Sequence, residues 1–175
     1  MIRSEDVVEL YQHLDRLGVA IWIDGGWAVD AVVGRQTRAH DDLDIAVEAT
    51  SLAALRRFLE QRSFRDVPTD DASPWNFVLA DPEGRRIDVH AVVLSERDGV
   101  WGDPLDGIAY PAGSLTGRGD IAGTSVRCVC ADALLRFKTS YPPRPIDRED
   151  VAELCALLDR PVPETHSLGG SGVGE

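Results

Sequence analysis

Residues 21–48 read IWIDGGWAVDAVVGRQTRAHDDLDIAVE. An apolar run over 19–23 comes first, and Gly25 and Gly26 then turn the chain. Residues 27–33 have helical character. A basic loop with Arg35, Arg38 and His40 leads to a second strand that starts near Asp42. Successive side chains on a strand alternate faces. Asp42 and Asp44 therefore share one face, and Leu43, Ile45 and Val47 share the other. Two carboxylates side by side repel, and aspartate is a weak strand former. The pair suits a hard divalent cation, which takes oxygen ligands and often combines one or two carboxylates with substrate phosphates.

The glycines supply the other half of such a site. They let backbone approach a ligand closely, and the helix start that follows favours an anion. Arg35 and Arg38 fit phosphate as planar bidentate donors, and fit equally as solvated loop charges. If the second strand begins early enough, alternation puts His40 beside Asp42, to touch a phosphate or to hold that carboxylate. A lone acid, Asp88, sits in a further candidate strand, 86–94, between the β-branched Ile87 and Val89 and on the same face as His90.

With the glycine pair, Asp-x-Asp and the later lone Asp in place, GGWAVDAVVGRQTRAHDDLDIAV resembles the motif of the small antibiotic nucleotidyltransferases, which act on aminoglycosides or lincosamides. That family lies in the DNA polymerase β-like nucleotidyltransferase superfamily. The resemblance is dense over residues 21–47 and continues more loosely to about residue 158. It implies an α/β (α+β) fold: a mixed, twisted sheet of about five strands flanked by helices, with C-terminal helices packed alongside. It also implies transfer of a nucleoside monophosphate, AMP from ATP or the equivalent from another nucleoside triphosphate, to an antibiotic hydroxyl, with release of pyrophosphate. Mg²⁺, as two ions, is the implied cofactor. Asp42, Asp44 and Asp88 are then the catalytic acids and metal ligands, with Asp88 either completing the metal site or taking the proton from the acceptor hydroxyl. Gly25 and Gly26 hold the β- and γ-phosphates, joined by Arg35, Arg38 and His40. The implied partners are a nucleoside triphosphate and a small-molecule antibiotic. The net charge of −12 and the loop acids, Asp66, Asp70 and Asp71 in one and Glu96, Asp98, Asp103 and Asp106 in another, favour a cationic acceptor, an aminoglycoside ahead of a lincosamide, with no nucleic acid and no membrane expected.

Composition narrows the field. The chain has 175 residues, of which 43% are apolar, enough for one domain with a core or a domain with a helical appendage. No apolar run approaches the ~18 residues of a membrane span. The amphipathic N-terminus lacks a signal-peptide core, so a cytoplasmic protein is expected. A net charge of −12 opposes nucleic-acid binding. It suits a cationic substrate, and it equally serves solubility. Cys128, Cys130 and Cys155 read as packed thiols, since no metal spacing accompanies them.

The rest of the chain reads as follows. A helix capped by Ser4 runs to Gly18, and another, capped by Thr50 or Ser51, runs to about 62. Asp30 reads as a structural partner for a nearby arginine. A short strand at 64–67, a polar loop at 68–74 and a hairpin of 75–80 with 86–94 follow. Residues 95–116 form a long excursion with short strands near 100–101 and 108–110. Residues 117–122 fit G-x-G-x-x-A on paper only, with no strand before them and no helix after. A strand at 124–130 and helices at 131–139 and 147–158 complete the chain, with Lys138 read as a solvated charge. Trp75, Trp101 and Tyr110 flank the long loops and mostly suit the core. The expected organisation is a catalytic core at 1–123, a C-terminal strand and helices at 124–160, and an unstructured tail at 161–175. The same acids also permit a toxin-type enzyme that modifies a protein or RNA end, a nucleotide-binding module, or a metal-dependent phosphoesterase. The acidic charge opposes the RNA option.

Overall fold

The computed structural model describes residues 1–94, 99–101, 108–111 and 113–167. Helix α1 (Ser4–Arg16) buries Val7, Leu10, Tyr11 and Leu14 along one stripe, as the 3.6-residue period demands. Its cap is Arg3 and not Ser4: the Arg3 N–H donates to Asp6 Oδ2 at 3.0 Å. Strand β1 (Ile21–Ile23), helix α2 (Gly25–Val33) and strand β2 (Asp42–Glu48) follow, then α3 (Leu52–Glu60), β3 (Arg65–Val67), β4 (Asn76–Ala80) and β5 (Arg86–Leu94). The chain continues through β6 (Gly99–Trp101), β7 (Ile108–Ala109), β8 (Gly117–Ile121) and β9 (Thr124–Cys128) to α4 (Ala131–Lys138) and α5 (Pro145–Leu157).

The nine strands among the described residues join one sheet, where about five were expected. The order is β3-β4-β5-β2-β1-β9-β8, with β6 added to β5 and β7 to β6. The sheet is mixed: β2 runs antiparallel to β1 and parallel to β5. The expected hairpin is β4–β5. Its turn is held by Asp81, whose carboxylate accepts from the backbone N–H of Glu83 and of Arg85 at 3.0 Å each.

Alternation sorts the central strands. Leu43, Ile45 and Val47 on β2, with Ile87, Val89 and Ala91 on β5, are buried. Leu55, Phe58 and Leu59 of α3 join the same core. Asp42, Asp44, Asp88 and His90 take the opposite face. Because the β2–β5 pair is parallel, Asp44 stands level with Asp88, and Asp42 with Arg86.

Helix α5 begins at Pro145, whose ring is preorganised for a first helical position. It carries two fully buried acids, Asp147 and Asp150. Lys138 of α4 reaches Asp150 at 2.7 Å and is itself buried, so it is not the solvated charge expected. Arg38 donates to both oxygens of Asp150 at 2.9 Å, and Arg144 donates to both oxygens of Asp147 at 2.8 and 3.0 Å. Buried charges of this kind are tolerated because each meets its partner.

Strand β9 stops at Cys128, two residues short of the expected strand at 124–130, and Cys130 caps α4. Burial pushes the Cys128 thiol up to about 12. Of the expected tail, residues up to 167 are described. They include a 3₁₀ turn, Glu164–His166, whose buried His166 lies 3.1 Å from the Lys138 carbonyl oxygen. Residues 168–175 lie outside the described residues. No helix among the described residues is long and apolar enough to cross a membrane.

Candidate metal and nucleotide site

Strands β2 and β5 bring one ligand atom each from Asp44, Asp88 and His90 to within 4.8 Å of one another. All three side chains are half-buried, while Asp42, one step earlier on the same face of β2, is exposed and stands outside this group. Asp88 Oδ1 is buried without a hydrogen-bond partner. An unsatisfied buried carboxylate oxygen is costly, and a cation at this point would satisfy it. The carboxyl of Asp44 is pushed up to about 7, first by loss of water and then by the Asp42 carboxylate, with His90 opposing. Asp88 is raised too, chiefly by burial, and again His90 opposes the rise before Asp42 adds to it. These acids crowd each other without enough positive charge nearby. A divalent cation reverses that balance, and two carboxylates with an imidazole are a suitable donor set for one.

Helix α2 starts beside them. Asp24 caps it, accepting from the Gly25 N–H at 2.7 Å, and its own backbone N–H donates to the Asp44 carbonyl at 2.9 Å. The glycines therefore form the helix's first turn, where a turn ahead of the helix was expected. First-turn N–H groups have no partner within a helix and carry the positive end of its dipole. Gly25 sits at φ +58°, and a Cβ there would collide with the Asp44 carboxylate. A Cβ on Gly26 would run into Arg38 and come within 2.6 Å of His40 Nδ1.

The basic residues take different places. Strand β2 begins only at Asp42, so alternation does not carry His40 to the acids. Its buried ring lies 4.5 Å from that of Trp27 and bonds Asp30 at 2.5 Å. Asp30 also accepts from the Thr37 hydroxyl at 2.6 Å, so its partners are His40 and Thr37 and not the arginine expected. Arg38 packs behind the α2 start with its guanidinium on Asp150. Arg35 is exposed, donating to both oxygens of Glu153 on α5 at 2.8 and 2.7 Å.

Three participants were missed. His90 was visible on the face of Asp88 through alternation alone. Asp24 precedes the glycine pair, where an N-cap acid is common. Tyr110 is buried, donates its hydroxyl to Asp24 Oδ2 at 3.0 Å, and meets Phe137 edge-on with ring centroids 5.2 Å apart. Nothing local announces that contact. Trp75 is half-buried, and the side chain of Trp101 lies outside the described residues. Asp66, on β3, pairs with Arg56 at 2.9 Å, and Asp71 of the polar loop accepts from Asn76 at 3.0 Å. Glu96, Asp98, Asp103 and Asp106 lie outside the described residues.

A sequence model described as aminoglycoside-2''-adenylyltransferase matches residues 6–154. The chain belongs to that family. It is an enzyme of the nucleotidyltransferase type, and enzymes of this kind use a nucleotide co-substrate and a divalent metal, for which the acids above are a candidate site. A lincosamide resistance protein from Staphylococcus haemolyticus is 25% identical over 153 residues, which span 86% of this chain and 91% of that protein. A 2''-aminoglycoside nucleotidyltransferase from Escherichia coli is 31% identical over 124 residues, 69% of this chain and 64% of that enzyme. The chain thus spans somewhat under two thirds of the aminoglycoside relative. Among solved structures, the lincosamide adenylyltransferase LnuA with lincomycin bound superposes with a TM-score of 0.76 at 23% identity, covering 89% of this chain and 98% of that one. That likeness establishes the nucleotidyltransferase fold and confirms the expected fold class.

Proposed function

We propose that the chain transfers AMP from ATP to a hydroxyl of an aminoglycoside, releasing pyrophosphate, with Mg²⁺ as the metal. The observation that carries this reading is the juxtaposition of Asp44 and Asp88 on neighbouring parallel strands, beside the first turn of α2. Asp42, Asp44 and Asp88 hold Mg²⁺, as two ions in the full complex. When bound, Mg²⁺ neutralises charge on the phosphates and lowers the proton affinity of an attacking hydroxyl. The first turn of α2, at Gly25 and Gly26, receives the β- and γ-phosphates. The acceptor oxygen attacks the α-phosphorus in line, and the bond to the bridging oxygen of pyrophosphate breaks. Asp88, level with Asp44 on the neighbouring strand, takes the hydroxyl proton. Arg38 and His40 act from behind, holding the α2 start in place, while Arg35 braces α5. Residues 1–123 carry the chemistry in this reading, and 124–160 support it. The reaction suits a cytoplasmic enzyme, where ATP is available.

The aminoglycoside is chosen on the family match and on a net charge of −12, since such antibiotics carry several ammonium groups. A lincosamide acceptor is the second reading, favoured by the 91% coverage of the lincosamide resistance protein. Mass spectrometry decides between them. Each antibiotic is incubated with enzyme, Mg²⁺ and the four nucleoside triphosphates. An aminoglycoside gaining one adenylyl group, with release of pyrophosphate, is expected. Modification of lincosamides alone would overturn the choice of acceptor, and phosphate release with no adduct would overturn transfer itself.

A further inference from the structure

The three expected acids are all oxygen donors, yet the tight group on β2 and β5 contains a nitrogen. The ligand atoms of Asp44, Asp88 and His90 all lie within 4.8 Å of one another, so shifts of a few tenths of an ångström bring them to the roughly 4.2 Å that two bonds of about 2.1 Å to a shared ion span at most. The imidazole is also held from behind. Asn76 stands opposite His90 in the β4–β5 ladder. Its Nδ2 donates to the Asp71 carbonyl oxygen at 3.3 Å and to Asp71 Oδ2 at 3.0 Å. Both partners can only accept, which fixes the amide with Oδ1 turned to His90 Nδ1 at 3.1 Å. An amide oxygen accepts, so Nδ1 carries the proton and, in the neutral ring, Nε2 carries the lone pair. Histidines that bind metals are held in this way, donating the outer N–H to a carbonyl or carboxylate that sets tautomer and ring direction.

We propose that His90 is a direct ligand of the divalent cation through Nε2, sharing it with Asp44 and Asp88, and that Asn76 and Asp71 form its outer brace. The assignment rests on the nucleotidyltransferase reading for the purpose of the cation, and on the described side chains for its ligands. An imidazole donor suits transition-metal ions better than Mg²⁺, which favours carboxylate, carbonyl and water. Mn²⁺ binding should therefore depend on His90 more steeply than Mg²⁺ binding does.

The full chain is titrated with Mn²⁺, alone and with tripolyphosphate, a nitrogen-free stand-in for the nucleotide's phosphates. Free Mn²⁺ is read by electron paramagnetic resonance, and bound Mn²⁺ by its electron spin-echo modulation. The wild-type protein should show ¹⁴N coupling from one imidazole. His90→Ala should lose that coupling and bind Mn²⁺ more than tenfold more weakly. Asn76→Ala should keep the coupling yet weaken binding about 10–100-fold. Circular dichroism checks each fold. If His90→Ala does not fold, ¹⁵N-histidine labelling of the wild-type chain must convert the coupling to the ¹⁵N pattern. Absence of Mn²⁺ binding in both arms, binding without nitrogen coupling, or coupling that survives in folded His90→Ala overturns the proposal, and an unchanged affinity in Asn76→Ala removes the brace. Antibiotic modification is assayed separately. Coupling without transfer defeats the functional reading and leaves His90 a ligand, whereas transfer without coupling does the opposite.

Discussion

Asp88 and Asp44 are level with each other on parallel strands, and neither side chain belongs to the apolar core. Converting either to asparagine keeps shape and removes charge. Transfer should then fall by more than the roughly 10–100-fold that losing an outer partner of a metal ligand costs, with thermal stability unchanged or raised, because burial and carboxylate crowding hold both acids above their ordinary range. Steady-state assays and thermal melts together check this, and wild-type turnover by either variant removes it from the site. Gly25→Ala is a different lesion. The φ of +58° penalises any side chain, and the new methyl collides with Asp44. A left-handed non-glycine residue costs about 1–2 kcal/mol, and nucleotide affinity should drop with it. Calorimetry with ATP and Mg²⁺ measures the drop, and an unchanged affinity would mean that the turn has no part in holding phosphate. The shared face of Asp42 and Asp44 and the placing of Asp88 on a strand were legible because strand alternation and spacing are local. His90 was legible as to face and not as to partner, since the amide that orients it comes from another strand.

Among the elements, helix α5 shows what a linear reading misses. Arg38 read as a phosphate contact or a solvated loop charge, and Lys138 as a solvated charge. Their partner is Asp150, which is 112 residues from Arg38. Nothing near either cation in sequence announces it. Asp150→Ala should leave a buried lysine and a half-buried arginine short of a partner and cost about 3–5 kcal/mol, seen as a lower denaturation midpoint. Arg35→Ala, which breaks only the exposed pair with Glu153, should change the midpoint little. Equal effects of the two would mean that burial does not set the strength of this brace. Asp147 adds a pH dependence. Burial raises its proton affinity, but hydrogen bonds from Arg144 outweigh that and hold its carboxyl at about 2, below the ordinary 3.8. Its contribution is complete above about pH 4 and is lost as pH falls through about 2. Acid titration of the midpoint should show Asp147→Asn flatter than wild type across that window. Strand β8 was hidden for another reason. Its GRGDI sequence has turn composition, but α2 packs so closely that a Cβ on Gly119 would overlap Ala31. The glycine there makes room for a helix and does not make a loop.

At the scale of the molecule, the resemblance carried by the glycine pair and the three acids set the expected fold class. The number of strands was not accessible in the same way, because short edge strands depend on the neighbours they join. The net charge of −12 is likewise a whole-molecule property, and its bearing on the acceptor can be tested. Part of the acidity is already committed within the chain: Asp66 to Arg56, Asp71 to Asn76, and Asp147 and Asp150 to the α5 brace. If the remaining acids attract a polycationic acceptor, its affinity should fall steeply with added salt, since exposed charges are screened beyond about 8 Å at physiological ionic strength. A neutral sugar analogue that lacks the ammonium groups should show no such slope. ATP affinity, followed in parallel, corrects for the effect of salt on the nucleotide. An aminoglycoside KM that stays flat between low and high salt, after that correction, would mean that the surface charge serves solubility and that acceptor choice is made by shape and hydrogen bonding. Lincosamides, with about one amine charge, then become equal candidates.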